Sequence, residues 1–374
     1  MTERPTLGGI ESVMMRTRSL VALVLLAALV AACGGGDSSS ATKPKPSTTT
    51  TTAPPPVAPL TGLSDPQRVA LSRSALSVKI ENTPDARPQS GLDAADVVYE
   101  EVVEGGITRF WAIFHSNAPS QVGPIRSVRE MDPNVVSPLG GVVAFSGGTQ
   151  ANVDLMRAAP VTWVDESNSD GNKRQASCDA DATATYCRSS KRAAPHNLFG
   201  RTAPLWARGG KPVPPVALFT YLPSQKPFTG DPVASFKLGF ERGYDVTYVW
   251  DPPSAGWKRV QGLQPFLSDT LTQLAPTNVV VQFVTYTGGG EGQLIGQGDA
   301  WVFSNGQLIK GHWAKSSATQ ATVFSDATGH PIALTPGHTW VEFFPVAFGQ
   351  GVTVTPAPGA TTTPPSVATT TTRR

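Results

Sequence analysis

The chain has 374 residues, of which 40% are hydrophobic and 16% are charged. Its 30 lysine and arginine residues nearly balance 28 aspartate and glutamate residues, which leaves a formal net charge of +2 at pH 7. A nucleic-acid-binding protein needs a strongly basic face or stripe, so this composition argues against a nucleic-acid partner and favours a globular protein.

The first 32 residues have the features of an export signal. Arg16 and Arg18 precede an apolar stretch over residues 19–30, which is too short to span a membrane comfortably. Small residues then lead to Cys33, as in a bacterial lipobox. We therefore predict that residues 1–32 are removed and that Cys33 carries a palmitate-type lipid. The alternative is a plain secretory signal or an uncleaved anchor.

Two segments have compositions that cannot build a core. Residues 33–59 and 353–374 are rich in Thr, Ser and Pro and contain almost no large apolar side chains, so we predict a disordered tether and a disordered tail. An extended tether would reach on the order of 80 Å. The intervening chain is long enough for two domains, which we place at residues 60–213 and 214–352.

Cys178 and Cys187 lie nine residues apart in a polar loop. Exported proteins fold in an oxidising compartment, so a disulfide between them is expected. Closing so short a loop stabilises a protein by about 2.5–3 kcal/mol in the chain-entropy model. The alternative, a metal or redox pair, has little support because the spacing is not C-x-x-C and no histidine lies inside the loop. No metal site is predicted.

The first half alternates strands with short helices. A hairpin is predicted where residues 96–103 and 107–115 flank Gly105 and Gly106. A helix is predicted over residues 149–158, with Leu155 and Met156 facing inward. The remaining predicted strands cover residues 77–81, 141–145 and 161–164.

The second half contains only strand patterns separated by turn residues. Its predicted strands cover residues 233–240, 244–250, 256–260, 279–286, 298–303, 307–313, 321–324 and 339–344. The predicted fold class is therefore α+β. The first domain would combine a mixed sheet with short helices, and the second would be mostly antiparallel β.

Polar side chains concentrate around the hairpin, one glycine-proline loop and one histidine. The densest group comprises Glu100, Glu101, Glu104, Arg109, Arg126, Arg129 and His196. Loop arginines beside a rigid sheet can bind carboxylate or phosphate oxygens in a forked geometry. The candidate ligand-binding residues are Glu100, Glu104, Arg109, Arg126, Arg129, His196 and Asn197.

A structural role for the same residues is the alternative. The arginines would then pair with the hairpin glutamates and fix the loop to the sheet. His196 would be a hydrogen-bonding anchor, and Asn197 would cap a helix that begins at Leu198.

One segment resembles the nucleophile elbow of an enzyme. Ser146 lies between a predicted strand and a predicted helix, and Asp165 and His196 follow in the order of an α/β-hydrolase triad. The chain before Ser146 has too few strand–helix units for that fold. A serine hydrolase using Ser146, Asp165 and His196 is therefore the alternative function, and catalysis stays undecided.

Several segments together resemble one bacterial family, the YerB-like lipoproteins of unknown function. In the first half they are PLTGL at 59–63, ARPQSGL at 86–92, ADVVYE at 95–100, EGGITRF at 104–110, GPIRSVR at 123–129 and APHN at 194–197. In the second half they are residues 311–313, 326–329 and 334–340. The resemblance implies a lipid-anchored, extracytoplasmic protein of two domains, of which the first is an α/β sandwich-like unit. It brings no catalytic residues.

These patterns predict a protein on the outer face of the cell membrane with a binding or scaffolding role in the envelope. The expected partners are membrane lipid, through acylated Cys33, and an anionic cell-wall polymer or an envelope protein. No cofactor is expected.

Overall fold

Strands dominate the computed structural model, which describes residues 55–168, 176–241, 243–288 and 290–360. The predicted signal peptide, Cys33 and most of the predicted tether and tail lie outside these residues. The strands are β1 (Leu76–Glu81), β2 (Val97–Val102), β3 (Thr108–Phe114), β4 (Gln121–Val122), β5 (Val142–Phe145), β6 (Thr162–Asp165), β7 (Tyr186–Arg188), β8 (Leu198–Arg201), β9 (Thr220–Tyr221), β10 (Asp231–Leu238), β11 (Val246–Asp251), β12 (Gly256–Gln261), β13 (Gln264–Pro265), β14 (Asn278–Val284), β15 (Tyr286–Thr287), β16 (Glu291–Gly292), β17 (Gly296–Ser304), β18 (Gln307–Lys315), β19 (Val323–Asp326), β20 (Ala333–Leu334), β21 (Thr339–Pro345) and β22 (Val352–Pro356).

Helices are few and short. The α-helices are α1 (Asp132–Val136), α2 (Gln150–Ala158) and α3 (Thr202–Ala207). The 3-10 helices are Ala70–Ser72, Pro84–Ala86, Leu92–Ala94, Glu104–Gly106, Glu166–Asn168 and Pro252–Ser254. The predicted α+β class holds for the described residues, with strand content well above helix content.

One large sheet contains strands from both halves of the chain. Its order is β13-β12-β11-β10-β18-β17-β14-β21-β2-β3-β1-β5-β6, with β19 on β18 and β22 on β10. The predicted mixed sheet of the first half is confirmed, because β1, β5 and β6 are parallel whereas β2 and β3 are antiparallel. The sandwich-like layering of this half stays a prediction.

The two halves meet where β2 lies beside β21. These strands run parallel, with Val97 opposite Thr339 and Glu100 opposite Glu342. Residues on either side of position 213 therefore share one continuous sheet. The division into two domains at that position stays a prediction.

The hairpin predicted around Gly105 and Gly106 is confirmed. β2 and β3 pair antiparallel from Val97 opposite Ile113 to Val102 opposite Thr108. Both glycines have left-handed backbones, with φ of 78° and 72°. Residues other than glycine rarely adopt such φ values, which explains why this tight connection contains glycine.

The predicted helix over residues 149–158 is present as α2. Thr149 caps it, because its side-chain oxygen accepts a hydrogen bond from the Asn152 amide at 3.2 Å. The predicted inward orientation of Leu155 is wrong, since its side chain is 44% exposed. Val153 and Met156, three residues apart on the helix, form the buried stripe instead.

Two other expectations are corrected. Asn197 precedes a strand, β8, and not a helix; the next helix, α3, begins only at Thr202. The tail predicted to begin at residue 353 is ordered at its start, because β22 pairs with β10 at the edge of the sheet. Its alternating valines provide a strand pattern that the surrounding Thr and Pro obscure.

Candidate functional site

The loop formed by residues 123–129, here called the arm, lies between the carboxyl ends of two parallel strands. The Arg126 amide donates to the Lys79 carbonyl in β1 at 3.0 Å, and the Ser146 amide, just after β5, donates to the Arg126 carbonyl at 3.0 Å. The carboxyl ends of parallel strands are where open α/β sheets bind ligands. The arm therefore places the Arg126 side chain at a favourable edge of the sheet.

Glu81 joins Arg126 to His196 at this edge. Its carboxylate contacts Arg126 Nη2 at 2.6 Å and His196 Nδ1 at 2.9 Å, and it accepts a hydrogen bond from Thr83 Oγ1 at 2.6 Å. Burial alone would raise the pKa of Glu81, but the hydrogen bonds from Arg126 and Thr83 and the arginine charge hold it below its ordinary value. Two of the predicted residues, Arg126 and His196, are thus brought together by a third that was not predicted.

His196 lines an open cleft of about 1040 Å³. The other lining residues are Asp85, Arg87, Ser90, Gln121, Cys178, Asp179, Ser189, Lys191, Arg192, Ala193, Ala194, Phe199 and Asp269. Most of them are polar, and one aromatic ring is included. This open concavity, here called the cleft, is a large polar surface within the described part of the chain.

Positive charges in the cleft are incompletely paired. Arg192 donates to the backbone carbonyls of Asp85 and Pro88, which are neutral acceptors. Lys191 makes no ion pair with any residue that the structure describes. Donors from these cations and acceptors from the cleft carboxylates together suit a ligand that carries hydroxyl and anionic groups.

The predicted disulfide forms part of one cleft wall. Cys178 and Cys187 are bonded, and Cys178 lines the cleft. Cys187 is buried in β7, which pairs with β8. Arg201 donates to the Cys178 carbonyl and fixes the same loop. The covalent link thus ties a polar wall segment to a paired strand.

Arg109 and Arg129 brace the arm and do not line the cleft. Both donate to the Ser127 carbonyl and to its hydroxyl oxygen, at 2.9 to 3.3 Å. Arg129 Nε also pairs with Glu104 of the hairpin at 2.7 Å. Burial, followed by the repulsion of Arg129, lowers the pKa of Arg109 to about 10. Of the three candidate arginines, Arg109 and Arg129 therefore hold the arm in place, whereas Arg126 contacts Glu81 beside the cleft.

Glu100 belongs to a buried network far from solvent. Arg259 Nη2 contacts Glu100 at 2.8 Å, and Arg259 Nη1 contacts Glu342 at 3.0 Å and the Tyr248 hydroxyl at 2.8 Å. All four side chains are fully buried. We call Arg259, Glu100 and Glu342 the arginine triad. It joins β12 of the second half to β2 and β21.

Glu101, the next residue along β2, points to the opposite face and enters a second network. Lys79 Nζ pairs with both Glu101 and Asp132, the latter at 2.8 Å. The Trp111 indole donates to Asp132 at 2.8 Å. We call Lys79, Glu101 and Asp132 the lysine triad. Sequence reasoning missed both cations because a single charge in a strand normally faces water, whereas every residue of β1 is buried and Arg259 lies on the buried face of β12.

Each triad combines one cation with two acids. Burial and, after it, the neighbouring Asp132 charge raise the pKa of Glu101 to about 8, although the Lys79 charge opposes them. Burial, together with Glu100, likewise raises the pKa of Glu342. A pKa of about 8 keeps most of Glu101 protonated at neutral pH, which leaves the lysine triad close to neutral.

These raised pKa values predict a pH dependence of stability. The folded protein keeps the Glu101 proton up to about pH 8, whereas the unfolded chain releases it near the ordinary value of about 4.3. The proton on Glu101 therefore contributes fully to the free energy of unfolding below the ordinary pKa, and this contribution is lost as the pH rises through about 8. We expect the free energy of unfolding in urea to fall between about pH 5 and pH 8.

The Glu101→Gln variant should lose part of that slope, because an amide mimics the protonated acid. Glu342 should account for the remainder. Exposed Glu130 provides the control, since Glu130→Gln should keep the wild-type slope. An unchanged slope in Glu101→Gln would mean that Glu101 is ionised in the folded protein.

The alternative catalytic residues are not assembled into a triad. Asp165 accepts hydrogen bonds from the Gly147 amide at 2.8 Å and from the Ser167 hydroxyl. His196 instead pairs with Glu81. No hydrogen bond joins any two of Ser146, Asp165 and His196 within the described ranges. The apparent elbow at Ser146 is the place where the arm pairs with the end of β5.

The remaining candidate, Asn197, has a structural contact. Its side-chain oxygen accepts a hydrogen bond from Arg188 at 3.0 Å, and its carbonyl accepts one from the Ser189 amide. These bonds hold the chain that leads from the disulfide loop to His196. Among the described residues we find neither a metal-binding group of three His, Cys, Asp or Glu side chains nor a helix long and apolar enough to cross a membrane.

Comparison with known proteins gives matches in both halves. The N-terminal domain of a family of proteins of unknown function, DUF3048, matches residues 60–212, and the C-terminal domain of that family matches residues 236–341. A stretch of 73 residues is 56% identical to "Putative lipoprotein YerB" of Bacillus subtilis strain 168. That stretch covers 20% of this chain and only 22% of the relative.

The fold has also been seen before. The crystal structure of the YerB protein from Bacillus subtilis superposes with a TM-score of 0.65. The superposition covers 77% of this chain and 96% of the other, at 24% sequence identity. This likeness shows a shared fold and carries no residue roles.

Proposed function

The chain belongs to the DUF3048 family of YerB-like proteins, and from this premise we propose that it is an extracytoplasmic lipoprotein that binds an anionic cell-wall polymer in its cleft. The placement is supported by the lipobox at Cys33 and by the lipoprotein name of the Bacillus subtilis relative. Acylated Cys33 would hold the protein at the outer face of the cell membrane. The tether would let the cleft reach into the wall.

One observation carries the choice of ligand: the cleft presents cations whose charges no carboxylate contacts directly. Arg192 is held by two backbone carbonyls, and Lys191 is exposed at the rim. An arriving carboxylate or phosphate would gain charge-assisted hydrogen bonds without displacing an internal ion pair. The cleft acids Asp85, Asp179 and Asp269 can accept hydrogen bonds from hydroxyl groups of the same ligand.

Arg126 is a positioning residue in this proposal. It contacts Glu81, which in turn holds His196 at the cleft wall, and it donates to the Pro195 carbonyl at 2.9 Å. The arm therefore sets the position of the histidine without lining the cleft. A structural role for Arg109 of β3 and Arg129 of the arm is compatible with this arrangement.

The binding proposal predicts a loss of affinity when the cleft cations are neutralised. In the double variant Lys191→Gln, Arg192→Gln, we expect the Kd for soluble wall-polymer fragments to rise at least about tenfold, because hydrogen bonds to charged groups contribute about 1.5–3 kcal/mol each. Isothermal titration calorimetry on the mature protein measures this change. A control with the same charge change is Lys211→Gln, Lys226→Gln, whose exposed lysines lie outside the cleft. Equal affinities in the two double variants would rule out the cleft as the polymer site.

The anchoring proposal predicts that Cys33→Ala abolishes membrane retention. Without the thiol no acyl chain can be attached, and one or two acyl chains are what such proteins use to stay on a membrane. We expect the variant in the soluble fraction or the medium, as seen by fractionation and immunoblotting. Mass spectrometry of the wild-type N-terminal peptide should show the lipid on Cys33. A Cys33→Ala protein that stays with the membrane would contradict acylation as the anchor.

A further inference from the structure

Beside the cleft lies a second cavity, and we propose that the two together bind an amphiphile: a polar, anionic head in the cleft, joined to an apolar chain in the second cavity. This inference deepens the proposed function and rests on it. It narrows the ligand from a wall polymer in general to one that carries a lipid chain, such as a lipid-linked saccharide.

The second cavity, here called the apolar cavity, has a volume of about 360 Å³. Its lining residues are Pro84, Arg87, Pro88, Gln261, Gln264, Pro265, Phe266, Leu267 and Leu271. Proline, phenylalanine and leucine side chains make up most of this surface. Such a lining offers little to a sugar or a phosphate but can cover a hydrocarbon chain.

The two cavities share one wall, because neighbouring residues of the same segments face opposite ways. In one segment Asp85 lines the cleft whereas Pro84 and Pro88 line the apolar cavity. In the other, Asp269 lines the cleft between Leu267 and Leu271 of the apolar cavity. A molecule that crosses this ridge would contact both surfaces at once.

Hydrogen bonds join the two segments of the ridge. The Asp269 amide donates to the Gln89 carbonyl at 3.1 Å, and Gln89 also forms a backbone bridge with Ser268. Gln89 is itself fully buried. The ridge is therefore a fixed part of the fold, and the spacing between the cleft and the apolar cavity is set by the backbone.

Arg87 lines both cavities and marks the crossing point. Its guanidinium donates to the side-chain oxygen and the carbonyl of Asn82, at 3.0 and 2.7 Å, and lies over the Phe266 ring at 5.6 Å. These partners are neutral, so no direct carboxylate contact cancels the arginine charge. A cation at the boundary of a polar and an apolar surface suits an anionic group placed between head and chain.

The rim of the apolar cavity also exposes a large side chain. Leu271 is 74% exposed, and its backbone is left-handed with φ of 62°. A non-glycine residue in this conformation is uncommon. A ligand chain would cover this leucine, which water otherwise surrounds. The nearby Leu263 is 93% exposed but does not line the cavity.

Dodecyl phosphate, below its micelle concentration, is the probe that tests the inference on the full mature protein. It carries an anionic head and one apolar chain, whereas inorganic phosphate carries the head alone. We expect dodecyl phosphate to bind at least about tenfold more tightly, because each buried methylene adds to the affinity. Equal binding of the two probes would overturn the inference.

Two matched leucine variants test where the apolar chain of the ligand binds. Leu271→Asn should reduce the affinity for dodecyl phosphate at least about fivefold, since it removes apolar contact, and asparagine tolerates the left-handed backbone. Leu263→Asn should leave the affinity unchanged. An equal loss in both variants would overturn the inference. If both variants also lose binding to vesicles of phosphatidylglycerol that the wild type binds, the surface inserts into membranes.

The same titrations separate this inference from the proposed function. Wall-polymer fragments without a lipid chain should bind Leu271→Asn as they bind the wild type. If these fragments bind but dodecyl phosphate binds no more tightly than inorganic phosphate, only the inference of an amphiphilic ligand fails. If neither the fragments nor dodecyl phosphate binds, both proposals fail.

Discussion

Replacing Arg259 by methionine is expected to lower the free energy of unfolding by about 3–5 kcal/mol, because it leaves two buried acids without their cation. Arg259 contacts Glu100 at 2.8 Å and Glu342 at 3.0 Å, and none of the three side chains is exposed. Methionine matches the arginine stem as far as Nε and retains the apolar contact of that stem, so the variant lacks only the guanidinium carbon and its two terminal nitrogens. The loss therefore reports on charge and hydrogen bonding more than on volume.

The neighbouring Lys258 supplies a matched control. It points away from the triad and pairs with Asp251 at 3.0 Å on the surface, so Lys258→Met should change stability by no more than about 1 kcal/mol. Urea unfolding followed by tryptophan fluorescence measures both variants. A loss below about 1 kcal/mol in Arg259→Met would show that the network tolerates an unpaired acid.

Lys79→Met should have an effect of similar size, about 3–5 kcal/mol at neutral pH. It removes the cation shared by Glu101 and Asp132, whose side chains are fully buried. Unlike the arginine triad, this site lies within the first half, where it ties β1 and β2 to α1. We expect the destabilisation to be smaller near pH 5 than near pH 8, because protonation removes the uncompensated acid charge.

The control for this variant is Lys237→Met. Lys237 pairs with Asp245 at 2.7 Å and is 52% exposed, so its loss should cost no more than about 1 kcal/mol at either pH. Thermal unfolding at the two pH values distinguishes the cases. If the destabilisation caused by Lys79→Met does not change with pH, Glu101 of the lysine triad does not take up a proton over this pH range.

The arginine triad also bears on the proposed ligand site. The Arg259 guanidinium lies over the Phe266 ring at 4.8 Å, and Phe266 lines the apolar cavity. Asn82 connects the two regions further, since it donates to Glu100 at 3.2 Å and accepts from Arg87 at 3.0 Å. The wall of the apolar cavity is therefore supported by the network that joins the two halves of the sheet.

Local patterns in the sequence predicted the elements well. The alternation of Val97 to Val102 and the adjacent glycines specified the hairpin, and Thr149 marked the start of α2. The predicted strands of the second half are all present, with shifts of a few residues at their ends. These features depend on residues a few positions apart, which is why a single sequence suffices to locate them.

The polar residues were harder to assign. Glu100 and Glu101 lie close in the chain to the arginines of the candidate site, which is why the sequence suggests that they pair. In the structure their side chains point to opposite faces of β2, where Glu100 contacts Arg259 and Glu101 contacts Lys79. β2 is a central strand between β3 and β21, and all but one of its residues are buried, so neither of its faces is open to water. Whether a charge is solvated or buried is decided by what covers each face of the strand.

The sequence by itself therefore determined the export signal pattern, the strands, the hairpin and the cysteine pair, because short-range periodicity and composition control them. The tertiary structure alone decided that Glu81 joins Arg126 to His196, that two acid pairs share buried cations, and that a polar cleft adjoins an apolar cavity. Each of these arrangements joins residues many positions apart. Their contacts exist only once the order of strands in the sheet has fixed which side chains face each other.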